Sequence, residues 1–430
     1  MLLVNDMGSI APHFGGSQIN FDLNRFFLGT APTNFFVTDP KIVYDASSGR
    51  WYMSIAAFDS NFDGYVFLAV SQSNDPSTNW WIYTILDQHT SKVFCDQPHL
   101  GFNSDKIVVT CDNFDSPTAT VSNPGFMVLD KTGAITGAAY EYMRFFGNGD
   151  RHSVMQPVYS VTPTSTEYLV YYYGSGIQVM AVWGNPTNGT VASGESNPGG
   201  IAALGIPPPA VQKGSTLLLD TGGDVRLLGA VFQSNIIWIS AGDSCTPTGD
   251  TAKHACMRLD RVDVTNLGGI VVTHDYDVGS VGTDLFYPAV TMDASGTVYV
   301  AYSASSANIY PEFDIAVITP ATPDAIDSVF QVGAGAGPYS GPSSITGGPA
   351  RWGDYSGASA DPDGDGVWVY GEFANTGNQW GTEVGLTMDR TPTSITYTGP
   401  LGADSNATVH LSANLVQAAP VAPRRWPVPS

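Results

Sequence analysis

Apolar and aromatic positions along this chain come in short runs, among them KIVYD, WYMSIAA, YVFLAV and WWIYTIL, and clusters of Gly, Asp, Asn and Ser interrupt them. Short apolar runs closed by turn-forming residues predict β-strands joined in hairpins. No stretch approaches the ~20 apolar residues that a membrane helix needs.

One unit recurs: a residue pair often ending in Pro, a short strand, a tight turn, and a second strand rich in aromatic and β-branched residues. Its six copies open at Asp39-Pro40, Gln97-Pro98, Gln156-Pro157, Val225-Arg226, Tyr287-Pro288 and Asp354-Tyr355. The second members step by 58, 59, 69, 62 and 67 residues. Two further strands fit in each unit, as YVFLAV and WWIYTIL in the first or QWGTEVGLTM and SITYTG in the last. A sustained period of this length predicts an all-β fold, a β-propeller of four-stranded blades. Six repeats use roughly residues 36 to 400. The leftover segments LLVND, SQINFDL, RFFLG and TVHLSANLV read as strands of a seventh blade, with six blades as the alternative. Residues 1–415 are thus expected to be one domain, with 1–35 and 402–415 forming the blade that closes the ring and removes its open edges. Residues 416–430 read as a Pro-rich tail or linker.

Composition narrows the partners. Asp and Glu number 39 against 17 Lys and Arg, a net charge of -22, which repels nucleic acid and anionic membranes. Only six of the acids are Glu, so the charge belongs to turns and not to helices. The cysteines form two short-range pairs, Cys95 with Cys111 and Cys245 with Cys256, at spacings unlike a zinc ribbon, and predict two local disulfides. With the sequons at Asn188 and Asn406 they point to a secreted or surface protein. The N-terminus MLLVNDMGSI lacks a basic region and a long apolar run, so a leader is expected to have been trimmed.

In a propeller, the start of each inner strand and the loop after the second strand open on one face. That placement gathers candidate chemistry. Asp39, Asp96, Asp354 and Glu372 are candidate acids and bases for glycoside hydrolysis, which needs two carboxyls ~5 to 10 Å apart. Tyr287 is a candidate nucleophile if Glu312 activates it. Arg151, Arg226 and Arg351 are candidates to hold a substrate carboxylate. His152 joins them as a binding residue, and with His254 as a possible base or metal ligand. Trp352 and Trp380 are candidates to stack on a sugar ring, with core packing the competing role. The expected partner is a glycan or cell-surface ligand.

The stretches DPKIVYDASSGRWY, AVSQSNDPSTNWWIY and RWGDYSGASADPDGDGVW with WGTEVG resemble bacterial secreted sialidase-like propeller proteins over most of residues 36 to 390. Ser73 to Trp80 fits the frame of their S-x-D-x-G-x-x-W Asp box, with Ser77 in place of Gly, and no Arg-Ile-Pro motif follows. The resemblance implies a carbohydrate-active protein, a hydrolase or lyase, or else a non-catalytic adhesion propeller.

Asp361 to Glu372, DPDGDGVWVYGE, matches an EF-hand loop in full. The repeat places Asp361 to Gly366 in a hairpin turn and Glu372 six strand residues on, about 20 Å away. One ion cannot bind both. Asp361, Asp363 and Asp365 remain a candidate structural Ca2+ site, against a turn chosen for its backbone angles.

Overall fold

The computed structural model describes residues 1–4, 6–11, 17–29, 34–88, 91–115, 120–121, 123–147, 150–174, 176–343, 346–362, 366–387, 393–397 and 413–417. All six expected hairpins form. The first antiparallel sheet runs Phe36–Asp45, Arg50–Phe58, Gly64–Ser71, Trp80–Gln88. The second uses Leu100–Phe102, Lys106–Asp115, Gly125–Asp130 and Glu141–Phe145, and the third Gln156–Pro157, Glu167–Tyr173, Gly176–Trp183 and Ala192–Ser196. The fourth comprises Leu227–Gln233, Ile236–Cys245, His254–Asp263 and Val271–Val278, its ladder joined to the second through Tyr159–Ser160, and the fifth Thr283–Met292, Val298–Ser306, Ile309–Ile318 and Ser328–Gly333. The sixth is Gly357–Ala360, Val367–Asn375 and Gln379–Thr387.

Side chains alternate across a strand, and here the first five sheets use that alternation to bury both faces. Val298, Val300 and Tyr302 face the fourth sheet, packing with Trp238 and Leu259. Tyr299 and Ala301, between them in sequence, face Val367 and Val369 of the sixth. The same holds earlier: Ile107 and Val109 pack toward the first sheet and Val108 toward the third. Sheets stacked face to face in chain order therefore follow from strands apolar on both sides.

The turns repeat a local device. Asp45 and Asp293 each accept from the backbone N–H two residues on, at 3.0 and 2.9 Å, which closes the hairpin. Each also accepts from an aromatic on the next strand, Tyr52 Oη at 2.9 Å and Tyr299 Oη at 3.1 Å. Asp361 does the same with Trp368 Nε1 at 3.1 Å.

Two expectations change at the termini. RFFLG is not a strand: Leu23–Leu28 is a short helix whose N-cap Asp22 accepts from Arg25 N at 3.0 Å. The N-terminal strands Leu2–Val4, Met7–Ile10 and Ile19–Asp22 form a sheet of their own, packed with the helix on the first sheet through Leu23 and Phe27 against Met53 and Ile55. Thr393–Tyr397, expected as the fourth strand of the sixth sheet, instead pairs with Ala413–Gln417. Among the described residues no ladder joins the two ends, so ring closure and a seventh blade are not observed.

Candidate functional site

The inner strands begin in an unusual backbone. Asp39, Gln97 and Tyr287, each followed by Pro, have φ of 53°, 51° and 53°, a left-handed conformation that such residues rarely adopt. Ladder register slips at two of these points, between Thr38 and Lys41 and between Phe286 and Ala289. Proline removes a ladder donor, and a bulge at a rim re-aims side chains. The repeated dipeptide thus turns the side chains at the strand starts away from the regular pleat. Lower in the structure Tyr159 links several sheets: it pairs with Phe102 and Val231, and its Oη donates to Val290 O at 3.1 Å and Ala358 O at 3.5 Å.

Above Tyr159 lies a polar cluster built from five sheets. Lys41 Nζ stands 2.9 Å from the centre of the Tyr355 ring, and His99 meets the same ring edge-on at 6.1 Å. Gln97 N, next in sequence to Asp96, donates to Asp39 Oδ2 at 3.3 Å, which brings the two carboxyls to one site, and burial, then the charge of Asp39, pushes Asp96 up to about 7. The pair cannot both ionise at low cost, as two like charges share one site. Asp112 accepts from Val154 N at 2.9 and 3.0 Å and is pushed by burial up to about 6. Burial lowers Lys41 to about 7 although Asp39 and Asp354 oppose it. Burial, with Lys41 and Arg226 nearby, holds His99 well below its usual range.

In the same cluster Asp354 accepts from Arg351 Nη1 at 2.6 Å, from Arg351 Nη2, and from Tyr287 Oη at 3.3 Å. Arg351 Nη1 also reaches Asp220 at 3.4 Å. Glu372 accepts from Gly353 N at 2.9 Å, and burial raises it to about 7 against that bond and Arg351. Arg226 Nε donates to Asp224 at 2.7 Å. Several buried atoms at the strand starts have no protein partner: Arg226 Nη1, His99 Nε2, Tyr355 Oη, Gln97 Oε1 and Gln156 Oε1. Buried polar atoms are ordinarily bonded, so each such group asks for an explanation.

The disulfides form as expected, Cys95–Cys111 and Cys245–Cys256. The first shapes this site. Val93–Asp96 pairs with Lys106–Asp115, setting Asp96 opposite Asp112, and the bridge joins the residues just before each of those aspartates.

Expected and observed site residues agree in part. Asp39, Asp96, Tyr287, Asp354, Glu372, Arg226 and Arg351 belong to this cluster. Arg151 and His152 do not: Arg151 pairs with Glu195, and His152 spends its ring nitrogens on Asp150 and on Glu195 at 2.7 Å. They stand beside a cavity of about 310 Å3 lined by Tyr173, Gly176, Asn197, Gly199 and Gly200. The three arginines therefore do not converge, and each is bound to its own acid, because an acidic chain offers every guanidinium a nearer carboxylate than a ligand. Tyr287 meets Asp354 and not Glu312, which accepts from Gln331; burial and Asp354 raise its phenol well above the usual value, the reverse of nucleophile activation. Trp352 is buried and gives its indole N–H to Ser303 at 3.1 Å, so it packs the core, whereas Trp380 is exposed.

His254 uses both ring nitrogens on Asp284 and Asp250, at 3.1 Å each. Asp363 and Asp365 lie outside the described residues. Among the described residues no group of three or more His, Cys, Asp or Glu is placed to hold a metal, and no helix is long and apolar enough to cross a membrane. Sequence reasoning missed Lys41, Tyr355, Asp220 and Asp224. The first two sit one position beyond the flagged residues, at Pro40 and Asp354, and that offset was the available signal.

No family model and no curated protein matches the chain. Solved structures similar to it include the Bacillus subtilis arabinanase, at 12% identity over 65% of this chain and 93% of that one, with a TM-score of 0.32. A Dyadobacter fermentans protein of unknown function is 12% identical over 83% and 95%, with a TM-score of 0.40. The Trypanosoma rangeli sialidase is 10% identical over 88% of this chain, with a TM-score of 0.38, and this chain spans 57% of its length. At such identities no residue equivalence follows, and the chemistry rests on this chain's own groups.

Proposed function

We propose that the protein is an exported, carbohydrate-active propeller that takes a neutral glycan at the axial cluster and hydrolyses it. The observation that carries this reading is the neighbouring carboxyls Asp39 and Asp96, set among buried donors and acceptors that no protein group satisfies. Sugar hydroxyls both donate and accept, which suits Arg226 Nη1, Tyr355 Oη and the two glutamine oxygens together. Seven carboxyls, of Asp39, Asp96, Asp112, Asp220, Asp224, Asp354 and Glu372, outnumber Lys41, Arg226 and Arg351 here. An acidic substrate would be repelled, which argues against the acidic glycan that the sequence suggested.

In this reading Asp96 keeps its proton near neutral pH and gives it to the leaving oxygen as general acid. Asp354, fixed by Arg351, is the second carboxylate and takes the proton of the water that attacks the anomeric carbon as the glycosidic bond breaks. Arg226 and Lys41 bind hydroxyls. The two disulfides and the acidic composition support export. A non-catalytic binding role has one observation in its favour: Asp39 and Asp96 are neighbours at one site, so that pair acts as one group and not as an acid and base across a bond.

Electrophoresis through gels holding neutral polysaccharides (arabinan, galactan, xylan, mixed-linkage glucan) or acidic ones (pectate, alginate) tests the reading. Retardation by a neutral polymer, weakened by Arg226→Met, is expected. Retardation by the acidic polymers alone, or by none, contradicts it.

A further inference from the structure

A row of phenylalanines runs along the rim beside the aspartate pair. Phe36 and Phe58, opposed across the first hairpin, have centroids 4.2 Å apart. Phe58 stacks on Phe94 at 4.9 Å, Phe62 lies 5.4 Å from Phe94, and Phe94 stacks on Phe114 at 5.8 Å. Phe36 is 46% and Phe62 36% exposed.

Three features hold this row in place. Gly64 has no Cβ, and one there would meet Phe94 Cα at 2.9 Å, so glycine lets the second sheet close on the first. The loop that presents Phe62 is pinned by Asp59, which accepts from Asn61 N at 2.8 Å and Asp63 N at 3.0 Å. Phe62 itself has φ 66°, a conformation that costs about 1–3 kcal/mol and persists only where the surroundings impose it.

The row is continuous with the axial cluster. Phe94 pairs with Phe114 and Asp96 with Asp112 on the same two strands. Residues two apart share a face, so the aromatic rung and the carboxyl rung are neighbours on one surface. Phe36 opens the strand that carries Asp39 three residues on. The rim is acidic, with Asp59 and Asp63 in the loop, and the chain carries -22. That charge opposes both an anionic partner and a second copy of this chain.

We infer that this row is a stacking platform for further sugar rings of the same neutral glycan, so that the protein takes a polymer lying from Phe114 and Phe62 toward the Asp39–Asp96 pair. The inference rests on the glycan reading above. Pyranose and furanose rings offer C–H faces to an exposed aromatic such as Phe62 or Phe36 while their hydroxyls stay in water.

The full chain, as Phe62→Ala and Phe62→Tyr, is run beside the unaltered protein in gels of whichever neutral polymer in the panel retards it. The same proteins are titrated with that polymer's disaccharide and hexasaccharide. Phe62→Ala is expected to weaken hexasaccharide binding roughly three- to tenfold, to leave the disaccharide unchanged, and to be rescued by Phe62→Tyr. Equal hexasaccharide affinity of Phe62→Ala and the unaltered protein overturns the platform while leaving the axial reading intact. Sedimentation that shows a dimer split by Phe62→Ala also overturns it, because the occupant would then be a second copy. If no polymer retards the unaltered protein, the axial reading falls and the platform with it.

Discussion

Arg226 and Arg258 are both buried arginines among aspartates, and they are used in opposite ways. Arg258 gives Nη2 to Asp243 at 2.6 Å, Nη1 to Asp275 at 2.5 Å and to Ala202 O at 3.0 Å, and Nε to Asp277 at 2.7 Å. Those aspartates stand on the strands flanking it in the fourth sheet, and Ala202 belongs to the connection crossing over them. Arg226 spends one nitrogen on Asp224, a neighbour in sequence, and leaves Nη1 buried and unpartnered among groups from other sheets. A saturated guanidinium fastens structure. An unsaturated one keeps donors for a ligand, and holding it so has a cost in stability that a purely structural site would not need.

The largest effect expected is on the axial side. Asp96→Asn should lower hydrolysis about 10²- to 10⁴-fold, the range for losing a general acid, with the melting temperature held or raised and polymer binding retained. Next comes the closed network. Arg258→Ala leaves buried aspartates unpaired and should cost about 3–5 kcal/mol, read as a lower urea midpoint, while the folded fraction binds the polymer normally. Arg226→Met should reverse that pattern; if both arginines shift stability and neither shifts binding, the contrast between them is void.

The disulfides separate in the same way. Removing either should cost about 3 kcal/mol for loops of this length, but only Cys95→Ser with Cys111→Ser should also reduce turnover, because that bridge positions Asp96 and Asp112. Loss of Cys245–Cys256 with equal loss of turnover per folded molecule would deny the first bridge a special role. The smallest effect is the pH slope. Asp96 must be protonated to act, so rates should fall about tenfold per unit above about 7. Glu372 has its pKa raised by burial, so the stability tied to its proton is complete below the ordinary carboxylate range and lost as pH rises through about 7. Glu372→Gln should flatten that part of the Tm profile between pH 5 and 7.

The sequence disclosed the hairpins because their chemistry is local: an Asp-x-Ser turn, an aromatic seven residues after Asp45 or six after Asp293, a Pro at the strand start. It also located Asp39, Asp96, Asp354 and Glu372, since a repeat fixes which end of each strand shares a face. What depends on distant pairing was not legible. RFFLG has strand-prone aromatics, yet Asp22 caps a helix there. SITYTG has a strand's pattern whichever neighbour it joins. Arginines at strand starts suggested a common target, but Arg226 and Arg351 are taken by Asp224 and Asp354 close by in sequence, and Arg151 by Glu195 from another strand. The phenylalanine row was hidden because each member, taken alone, looks like a core residue.

The measurement closest to the central claim is reducing-end release from the neutral polysaccharide panel at pH 6 by the unaltered protein and by Asp96→Asn. Release by the unaltered protein, lost in a variant that still binds the polymer, is the predicted result. Equal release by both proteins, or none by either, would contradict the assignment of a hydrolytic axial site.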